Sequence, residues 1–384
     1  MTVKGIGMVR GIITLLFSLA FSATAFADHP PKKMLRNMDG YSYLGMTGML
    51  GPFTVNVAKF GTFPSGKTTG VSNKKFDKFL ADKFNMAAIV MKKGEVIYER
   101  YNKKRKIDSN SPLVGMSMSK TAASAAIGHL LCNGKITSLE DNASKYSKSL
   151  ASTPYADVKI RNILQMNSGV SPLGRSDEKQ FNWKSRGMKQ FDGQASVREA
   201  LAFYDKAARA QGTKMNYHST DTLALSVLVE EIAGSPLSHV FYNQLYQKFG
   251  QSGYMHWTSD KSGTTVAFSD LVMTARDWVN FGAFIMREKK AKTCLGNFFT
   301  EGVKNAVETG KNNGSKYGYQ SWVFPVKGRP TLTLQGHGGQ FMVLDEKNDT
   351  ILLTISNNEE YKAGNLFSNI GKFTEKLNKS GNWN

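Results

Sequence analysis

The sequence predicts an α/β fold of the α+β kind, with an antiparallel sheet built from N- and C-terminal segments, flanked by helices, and an inserted all-helical lobe. Three observations support this fold class. Two β-prone runs occupy residues 86–102, helical patterns fill much of residues 138–250, and strand patterns return over residues 317–358. Strands at both ends of a chain bury their apolar faces most simply in one sheet with helices on its faces.

The first 27 residues have the pattern of a signal peptide. Lys4 and Arg10 precede an apolar stretch at 12–23, and Ala25-Phe26-Ala27 places small residues where a signal peptidase reads them. We expect cleavage after Ala27 and a periplasmic or secreted protein without a membrane span after processing. The alternative, a membrane anchor, needs about 20 unbroken apolar residues, and serines and threonines interrupt this run.

Residues 28–384 are expected to form one domain with two lobes. The α/β lobe would comprise residues 85–125 and 265–384, and the helical lobe residues 126–264. Capping, turn and periodicity signals place the separate elements. The expected elements are a short amphipathic helix at 75–83, a hairpin turn at 92–95, a helix at 118–132, a helix that begins at Ser219 or Thr220 and ends before Gly234, a helix at 275–286, a turn at 348–349 and a closing helix at 366–377.

The chain carries a net charge of +20, which favours contact with anionic surfaces such as a cell envelope. Its basic residues are scattered in short groups such as Lys74-Lys75 and Lys289-Lys290, and no nucleic-acid recognition motif surrounds them. We therefore expect a solvated basic surface and no nucleic-acid partner.

Cys132 and Cys294 are the two cysteines of the chain and form no disulfide framework. Export would permit a bond between them. The position of Cys132 after two leucines near a helix end instead favours a buried thiol, so unpaired cysteines are expected. The six histidines show no metal-ligand spacing, and no metal or other cofactor is expected.

A Ser-x-x-Lys pattern at Ser117 and Lys120 is the first candidate for chemistry. The pattern also occurs at Ser72 and Ser176, but only at Ser117 does it open a long helix of small residues that can be buried tightly. At this spacing the two side chains share one helix face, and partial desolvation lowers the pKa of a lysine so that it can accept a proton. The alternative is that Ser117 only caps the helix while Lys120 reaches water.

Two further segments are candidates for catalysis or binding. Tyr217 lies in a loop before a helix start and can carry a proton if a cation lowers its pKa from about 10. The glycines of Gln335–Gln340 weaken a strand pattern and indicate close approach of another group to that strand edge. An ordinary half-buried tyrosine and a wide turn are the respective alternatives.

The order and separation of these motifs resemble the serine β-lactamase and penicillin-binding protein superfamily. The match is closest to the branch of class C β-lactamases, esterases and 6-aminohexanoate-dimer hydrolases. It extends over residues 86–360 and includes the segments IRNILQMNSGV, YHSTDTLALSVLVEEIAG and GHGGQ. The resemblance implies a serine β-lactamase-like fold.

The resemblance also implies a role for each motif. Ser117 would be the nucleophile, Lys120 would help to deprotonate it, and Tyr217 would carry a proton to the leaving group. Backbone N–H groups of Ser117 and Gln340 would form the oxyanion hole. The residues expected to bind substrate are Ser219, His337, Gly338 and Gly339.

Two departures from the family pattern bear on the substrate. His337 stands where β-lactamases and peptidases usually carry the lysine of a Lys-Thr-Gly triplet, and Ser219 replaces the asparagine of a Tyr-x-Asn motif. Loss of that lysine weakens the usual docking of a substrate carboxylate. The resemblance therefore implies an exported serine hydrolase that cleaves a small amide or ester through an acyl-enzyme.

Two other functions remain open at this point. The chain could be a β-lactamase or a penicillin-binding DD-peptidase, or a non-catalytic protein of the same fold whose basic surface binds the envelope. The segment Ser171–Gly193, which contains three aromatic residues, is interpreted either as a loop on the substrate side or as a surface loop held by those aromatic residues.

Overall fold

The computed structural model describes residues 55–56, 77, 85–171, 196–202, 207–252, 254–260, 262–326 and 328–356. The predicted signal peptide, the closing helix at 366–377 and residues 172–193 of the candidate loop lie outside the described residues. So does the amphipathic helix expected at 75–83, apart from residue 77, which is helical.

The described residues form twelve strands and eight α-helices. The strands are β1 (Val55–Asn56), β2 (Asn85–Lys92), β3 (Glu95–Tyr101), β4 (Pro112–Val114), β5 (Tyr254–Trp257), β6 (Leu271–Thr274), β7 (Val307–Glu308), β8 (Lys316–Gly318), β9 (Ser321–Val326), β10 (Arg329–Gly336), β11 (Gln340–Asp345) and β12 (Thr350–Ser356). The helices are α1 (Ser119–Cys132), α2 (Lys148–Ala151), α3 (Ile160–Leu164), α4 (Val197–Leu201), α5 (Ser219–Ala233), α6 (Leu237–Gln244), α7 (Ala275–Lys290) and α8 (Cys294–Lys304).

The main sheet has eight antiparallel strands in the order β3-β2-β12-β11-β10-β9-β8-β7. β2 pairs with β12 from Lys92 opposite Thr350 to Asn85 opposite Ser356, so segments from the two ends of the domain meet in one sheet. The predicted fold class is confirmed. The helix α7 packs on β2, β11 and β12, and apolar side chains on both faces of these strands are buried.

Local signals correctly predicted several elements. The β2–β3 hairpin turns at Lys93 and Gly94, which both have positive φ, as a two-residue hairpin loop requires. The helix α5 begins at Ser219 and ends at Gly234 in the left-handed region with φ of 67°, where glycine has no steric penalty. The described parts of the helical lobe are α2 to α6 and their connections.

A second sheet of four short strands, in the order β1-β5-β6-β4, was not predicted. Its strands β4 and β6 are buried along their whole length. They therefore lack the alternation of polar and apolar residues that reveals a half-buried strand in a sequence. This small sheet supports the chain directly before α1.

The helix α1 is buried along almost all of its length. Its small residues let neighbouring helices approach closely: a Cβ added at Gly128 would lie 2.8 Å from the side chains of Leu295 and Phe298 on α8. The structure places a 3-10 turn, Met116–Met118, before the α-helix, so Ser117 lies in that turn and not in the helix. The start predicted at 118 is one residue early.

Cys132 and Cys294 form a disulfide bond, and the expectation of unpaired thiols is wrong. The bond joins the last residue of α1 to the first residue of α8, with the Cα atoms 5.7 Å apart, inside the range that a disulfide spans. The close packing of the two helices near Gly128 brings these ends together. Sequence spacing could not show this, because the cysteines are 162 residues apart.

No helix among the described residues is long and apolar enough to cross a membrane.

We predict that the oxidised, denatured protein contains no titratable thiol and that the double variant Cys132→Ser/Cys294→Ser is less stable than the oxidised protein. A bond that closes so long a loop restricts the unfolded chain, and its loss typically costs about 2–4 kcal/mol. Thiol titration and thermal unfolding with and without reductant check this. Two reactive thiols in the unreduced protein, or equal melting temperatures, would contradict it.

Candidate active site

Ser117 lies in a sharp turn between β4 and α1. The preceding residue, Met116, has φ of 50°, a left-handed conformation that costs a residue other than glycine about 1–3 kcal/mol and is often found at functional sites. Gly115 allows the turn to pack on α7, since a Cβ there would lie 2.0 Å from the ring of Trp278. The turn therefore takes a conformation that only close tertiary packing maintains.

A segment of chain between β5 and β6 holds this turn by three hydrogen bonds. Lys120 Nζ donates to the carbonyl of Phe268 at 2.7 Å, the N–H of Leu271 donates to Ser119 Oγ at 3.0 Å, and the N–H of Gly115 donates to the carbonyl of Leu271 at 2.8 Å. We call residues 268–271 the clamp segment. It fixes both the start of α1 and the lysine side chain.

Lys120 is the most unusual ionisable group in this region. It is 1% exposed, and its Nζ donates to Ser117 Oγ at 3.1 Å. Desolvation lowers the pKa of Lys120 to about 7, although the negative charge of Asp270 acts in the opposite direction. Near neutral pH a large fraction of this lysine is therefore an uncharged amine that can accept a proton from the adjacent hydroxyl.

Tyr217 contributes the third side chain. Lys120 Nζ lies 5.2 Å from the centroid of its ring. Desolvation raises the pKa of Tyr217 to about 12, while a side-chain hydrogen bond with Ser117 acts to lower it. Burial outweighs the other effects, so the pKa of Tyr217 is raised, and the lowering by a cation that the sequence argument required is not observed. The phenol is therefore a proton donor at neutral pH.

Tyr217 is partly exposed although its hydroxyl is desolvated, because the two properties belong to different parts of the side chain. The residue as a whole is 37% exposed, so a substrate can reach its ring from solvent. The hydroxyl group is desolvated, and the side chain of Ser117 acts to lower its pKa. The pKa of the phenol follows from this local burial.

A buried polar network supports the residue after Tyr217. His218 Nε2 lies 3.4 Å from Asp221 Oδ1, and the same carboxylate accepts hydrogen bonds from Tyr155 at 2.8 Å and Ser168 at 2.6 Å. Burial raises the pKa of Asp221 and lowers that of His218. The network ties the start of α5 to the chain around α3 and so fixes the backbone that carries Tyr217.

The rings of Tyr217, Tyr317 and Trp322 pack against one another beside Ser117 and Lys120. We call these three aromatic residues the wall. The ring of Tyr217 lies 5.6 Å from that of Tyr317 and 5.2 Å from that of Trp322, centroid to centroid. Tyr317 and Trp322 are also in contact at 5.2 Å. Such geometries are favourable for aromatic pairs. Tyr317 and Trp322 are buried, and Tyr217, 37% exposed, is the member of the wall that solvent reaches.

The segment His337-Gly338-Gly339 forms the loop that joins β10 to β11, because Gly336 pairs with Gln340. The expectation that it lies on a strand is wrong, and the alternative of a turn is the one observed. Gly338 and Gly339 have φ of 83° and 106°, which glycine adopts without strain. His337, which replaces a lysine of the family pattern, is half-buried in this loop.

This loop lies directly against the serine turn. A Cβ added at Gly336 would be 2.4 Å from the carbonyl oxygen of Gly115 and 2.9 Å from Met116 Cβ. Gln340 is fully buried and its Nε2 donates to the carbonyl of Val114 at 3.3 Å. The requirement for close approach to a backbone, inferred from the glycines, is therefore met by Gly336 and the turn that holds Ser117.

The end of β10 next to the site lacks a pairing partner in β9. The β9 ladder ends at Thr333 opposite Trp322, whereas the β11 ladder continues to Gly336 opposite Gln340. One edge of residues 334–336 is thus outside the β9 pairing.

Ser219, a residue predicted to bind substrate, is the first residue of α5, two positions after Tyr217. Its role stays a prediction. The structure brings together Ser117, Lys120 and Tyr217, with the 336–340 loop beside them, and their catalytic roles stay predictions.

Several contributors were missed by sequence reasoning. Phe268 and Leu271 act through backbone groups, which leave no signal in side-chain type. The wall residues Tyr317 and Trp322 belong to a segment that the sequence showed only as strand-like. Gly336 was within a segment already singled out, and its role in close packing could have been found there.

The described residues form a cavity in another part of the structure and no candidate metal site. A cavity of about 650 Å³ is lined by residues 144–148, 230, 231 and 234–236, and Ser117 is not among its lining residues. Within the part of the chain that the structure describes, no cluster of histidine, cysteine and acidic residues could hold a metal ion.

The sequence matches the model of a known protein family. The family model described as Beta-lactamase matches residues 73–366. The chain belongs to the beta-lactamase family. No curated protein sequence matches it significantly.

Solved structures share the fold of this beta-lactamase family member at low sequence identity. A candidate 6-aminohexanoate-dimer hydrolase from Bacillus anthracis has 20% identity and a TM-score of 0.67, and the match covers 90% of this chain and 95% of that one. A hydrolase with promiscuous acyltransferase activity has 14% identity, a TM-score of 0.61 and coverage of 80% and 96%. A class C β-lactamase has 14% identity, a TM-score of 0.58 and coverage of 82% and 98%.

We predict that kcat/KM for a neutral ester rises with pH through about 7 and then levels off, because only the uncharged amine of Lys120 can accept the serine proton. The pKa of Tyr217, raised to about 12, should cause no decline between about pH 8 and pH 10. The measurement is a pH–rate profile.

The variants Lys120→Met and Lys120→Arg serve as comparisons. Both should lose at least about 100-fold in kcat/KM, and neither should show the rise near pH 7. A wild-type profile that is flat from about pH 5.5 to pH 8.5 would rule out titration of this amine as the cause of activity.

Proposed function

We propose that this protein is an exported serine hydrolase that cleaves a small amide or ester through an acyl-enzyme. The observation that carries the proposal is the buried amine of Lys120, 3.1 Å from Ser117 Oγ and next to the ring of Tyr217. A lysine with a pKa of about 7 serves little purpose in a core, where an apolar residue would pack at lower cost. Perturbed ionisable groups of this kind are concentrated at functional sites.

In the proposed acylation step, Ser117 Oγ attacks the substrate carbonyl while the uncharged Lys120 amine takes its proton. The carbonyl oxygen becomes an oxyanion, which accepts hydrogen bonds from the backbone N–H groups of Ser117 and Gln340. Each such donor lowers the barrier by about 3 kcal/mol. The new bond is an ester between the serine and the acyl group.

The leaving group needs a proton when the bond to it breaks. The phenol of Tyr217 donates that proton to the amine or alkoxide, and the Lys120 ammonium restores the phenol. Water then attacks the acyl-serine, with the same groups accepting its proton, and releases the carboxylic acid. Because the pKa of Tyr217 is raised, the phenol begins each cycle in the protonated form that this role requires.

An amide or ester substrate is favoured over a β-lactam by the residue at position 337. The imidazole of His337 replaces the permanently charged lysine that would dock a β-lactam carboxylate in the family pattern. Hydrolases of amides and esters occur among the proteins of similar fold, such as the candidate 6-aminohexanoate-dimer hydrolase, and this supports the proposal.

Export is supported by two independent features. The first 27 residues have the charge, apolar run and small residues of a signal peptide. The Cys132–Cys294 disulfide is typical of proteins that mature in an oxidising compartment. Outside the cytoplasm, the net charge of +20 would favour association with an anionic envelope surface.

The experiment that tests the proposal is intact-protein mass spectrometry after incubation with panels of esters, amides and β-lactams. We expect an added acyl mass from an ester or amide on the wild-type protein and none on Ser117→Ala. A fluorophosphonate should label the wild type and not the variant, while circular dichroism shows that both are folded. Labelling that persists in Ser117→Ala would disprove the assignment of the nucleophile.

Other outcomes of the same experiment favour different functions. A stable penicilloyl adduct on Ser117, or fast turnover of nitrocefin, would indicate a DD-peptidase or β-lactamase. Absence of any adduct, together with salt-dependent binding to peptidoglycan, would indicate a non-catalytic binding protein.

A second prediction separates the role of Tyr217 from that of Lys120. Tyr217→Phe should lower kcat/KM for an anilide about 100-fold or more and that for the matched p-nitrophenyl ester far less, because p-nitrophenolate leaves without a proton. Lys120→Met, as the control, should impair both substrates. Equal losses for ester and anilide in Tyr217→Phe would show that the phenol does not protonate the leaving group.

A further inference from the structure

We propose that Lys311 and Trp322 form a subsite for a carboxylate, and that the substrate is an amide or ester that carries an anionic end away from the scissile bond. This inference rests on the proposed hydrolase activity and specifies its substrate class. It comes from a lysine that lies on the aromatic wall of the site without an acidic partner among the described residues.

The position of Lys311 is defined by its contact with the wall. Its Nζ lies 4.4 Å from the centroid of the Trp322 ring, a distance at which a cation interacts with an aromatic face. The same ring contacts that of Tyr217, which stands next to Ser117. Trp322 itself is only 9% exposed, so the ammonium group lies at the far end of a buried aromatic cluster whose exposed member is Tyr217.

The loop that carries Lys311 is folded back on itself. The N–H of Lys311 donates to Thr309 Oγ1 at 3.3 Å, and Thr309 Oγ1 donates to the carbonyl of Ser315 at 2.9 Å. A Cβ added at Gly314 would be 3.4 Å from Pro325 on β9, so the loop also packs against the strand that carries Trp322. The lysine is thus held in place and not attached to a free loop.

Charge compensation distinguishes Lys311 from the other lysine of this hairpin. Lys316 pairs with Glu308 at 2.6 Å. Lys311 has no ion pair among the described residues, and partial desolvation against the wall lowers its pKa. A cation that is partly desolvated and uncompensated gains most from a ligand that supplies a negative charge.

The geometry indicates a substrate of some length. Two aromatic rings separate Lys311 from the serine side of the site, which corresponds to a spacing on the order of 10 Å, or several methylene groups. The chain between the carboxylate and the reacting carbonyl would pass over the exposed ring of Tyr217 and beside Trp322, which is 9% exposed. A linear monoester or monoamide of a dicarboxylic acid has this chemistry.

This subsite also offers a physical account of the residue at 337. The family pattern docks a substrate carboxylate with a lysine at that position, where this chain has His337. Placing the cation on the loop between β7 and β8 moves the preferred anion farther from the serine. A compact β-lactam, whose carboxylate is close to its reactive carbonyl, would then be a poor match.

The test uses p-nitrophenyl monoesters of dicarboxylic acids with five to eight carbons. Each monoester is compared with the neutral diester in which its free carboxylate is converted to a methyl ester. Lys311→Met should lower kcat/KM for the best anionic ester about tenfold or more, the value of one charge-assisted hydrogen bond, and change the neutral partner less than about twofold. Lys311→Arg should retain most of the activity. High salt should reduce the anionic preference in the wild type.

The control variant is Lys316→Met, which removes the same charge from the same hairpin. It should affect both esters less than about twofold. Equal losses in Lys311→Met and Lys316→Met would show a long-range field in place of a subsite, and equal losses for anionic and neutral esters in Lys311→Met would show a structural role. Either result would overturn the proposal.

A binding measurement keeps this inference separate from the proposed activity. Calorimetric titration of Ser117→Ala with the monoamide of a dicarboxylic acid should show binding that is at least about tenfold weaker in Ser117→Ala/Lys311→Met. If the wild type hydrolyses no ester but this difference is found, the hydrolase proposal fails and the carboxylate subsite stands. If the wild type hydrolyses esters and Lys311→Met changes neither binding nor turnover, the hydrolase proposal stands and the carboxylate subsite fails.

Discussion

The buried amine of Lys120 is the group on which the rest of the site depends. An ammonium ion in an apolar core is strongly disfavoured, so the fold must either neutralise it or surround it with acceptors. Here it does both, because the lysine meets Ser117 Oγ and the carbonyl of Phe268 while its pKa falls to about 7. The clamp segment that supplies this carbonyl also holds the start of α1, so the position of the serine and the basicity of the lysine arise from the same contacts.

The turn between β8 and β9 joins two helices close to these residues. Tyr319 and Gln320 both have positive φ, as the two-residue turn between β8 and β9 requires. The carbonyl of Gln320 accepts from Thr121 on α1, its Oε1 accepts from Thr222 on α5, and its N–H donates to the carbonyl of Leu164. One side chain and its backbone therefore join the helix behind Ser117 to the helix behind Tyr217, which sets the distance between the two catalytic candidates.

Local features of the fold could be predicted from the sequence, whereas features that depend on long-range packing could not. The hairpin at Gly94 and the end of α5 at Gly234 follow from glycine at positions with positive φ, and the burial of α1 follows from its small residues. The disulfide depends on how α1 packs against α8, and the carbonyl of Phe268 has the same chemistry as any other backbone group. The raised pKa of Tyr217 also depends on long-range packing, because it arises from burial of the phenol.

The disulfide has a topological consequence. It closes a covalent ring that contains every residue from 132 to 294, which includes α2 to α7. A single proteolytic cut anywhere inside that ring leaves both fragments attached to each other, so nicked molecules would keep Ser117 and Tyr217 in one covalent unit. The chain has two cysteines, so only one intramolecular disulfide can form. An incorrect disulfide between cysteines of this protein would therefore join two molecules.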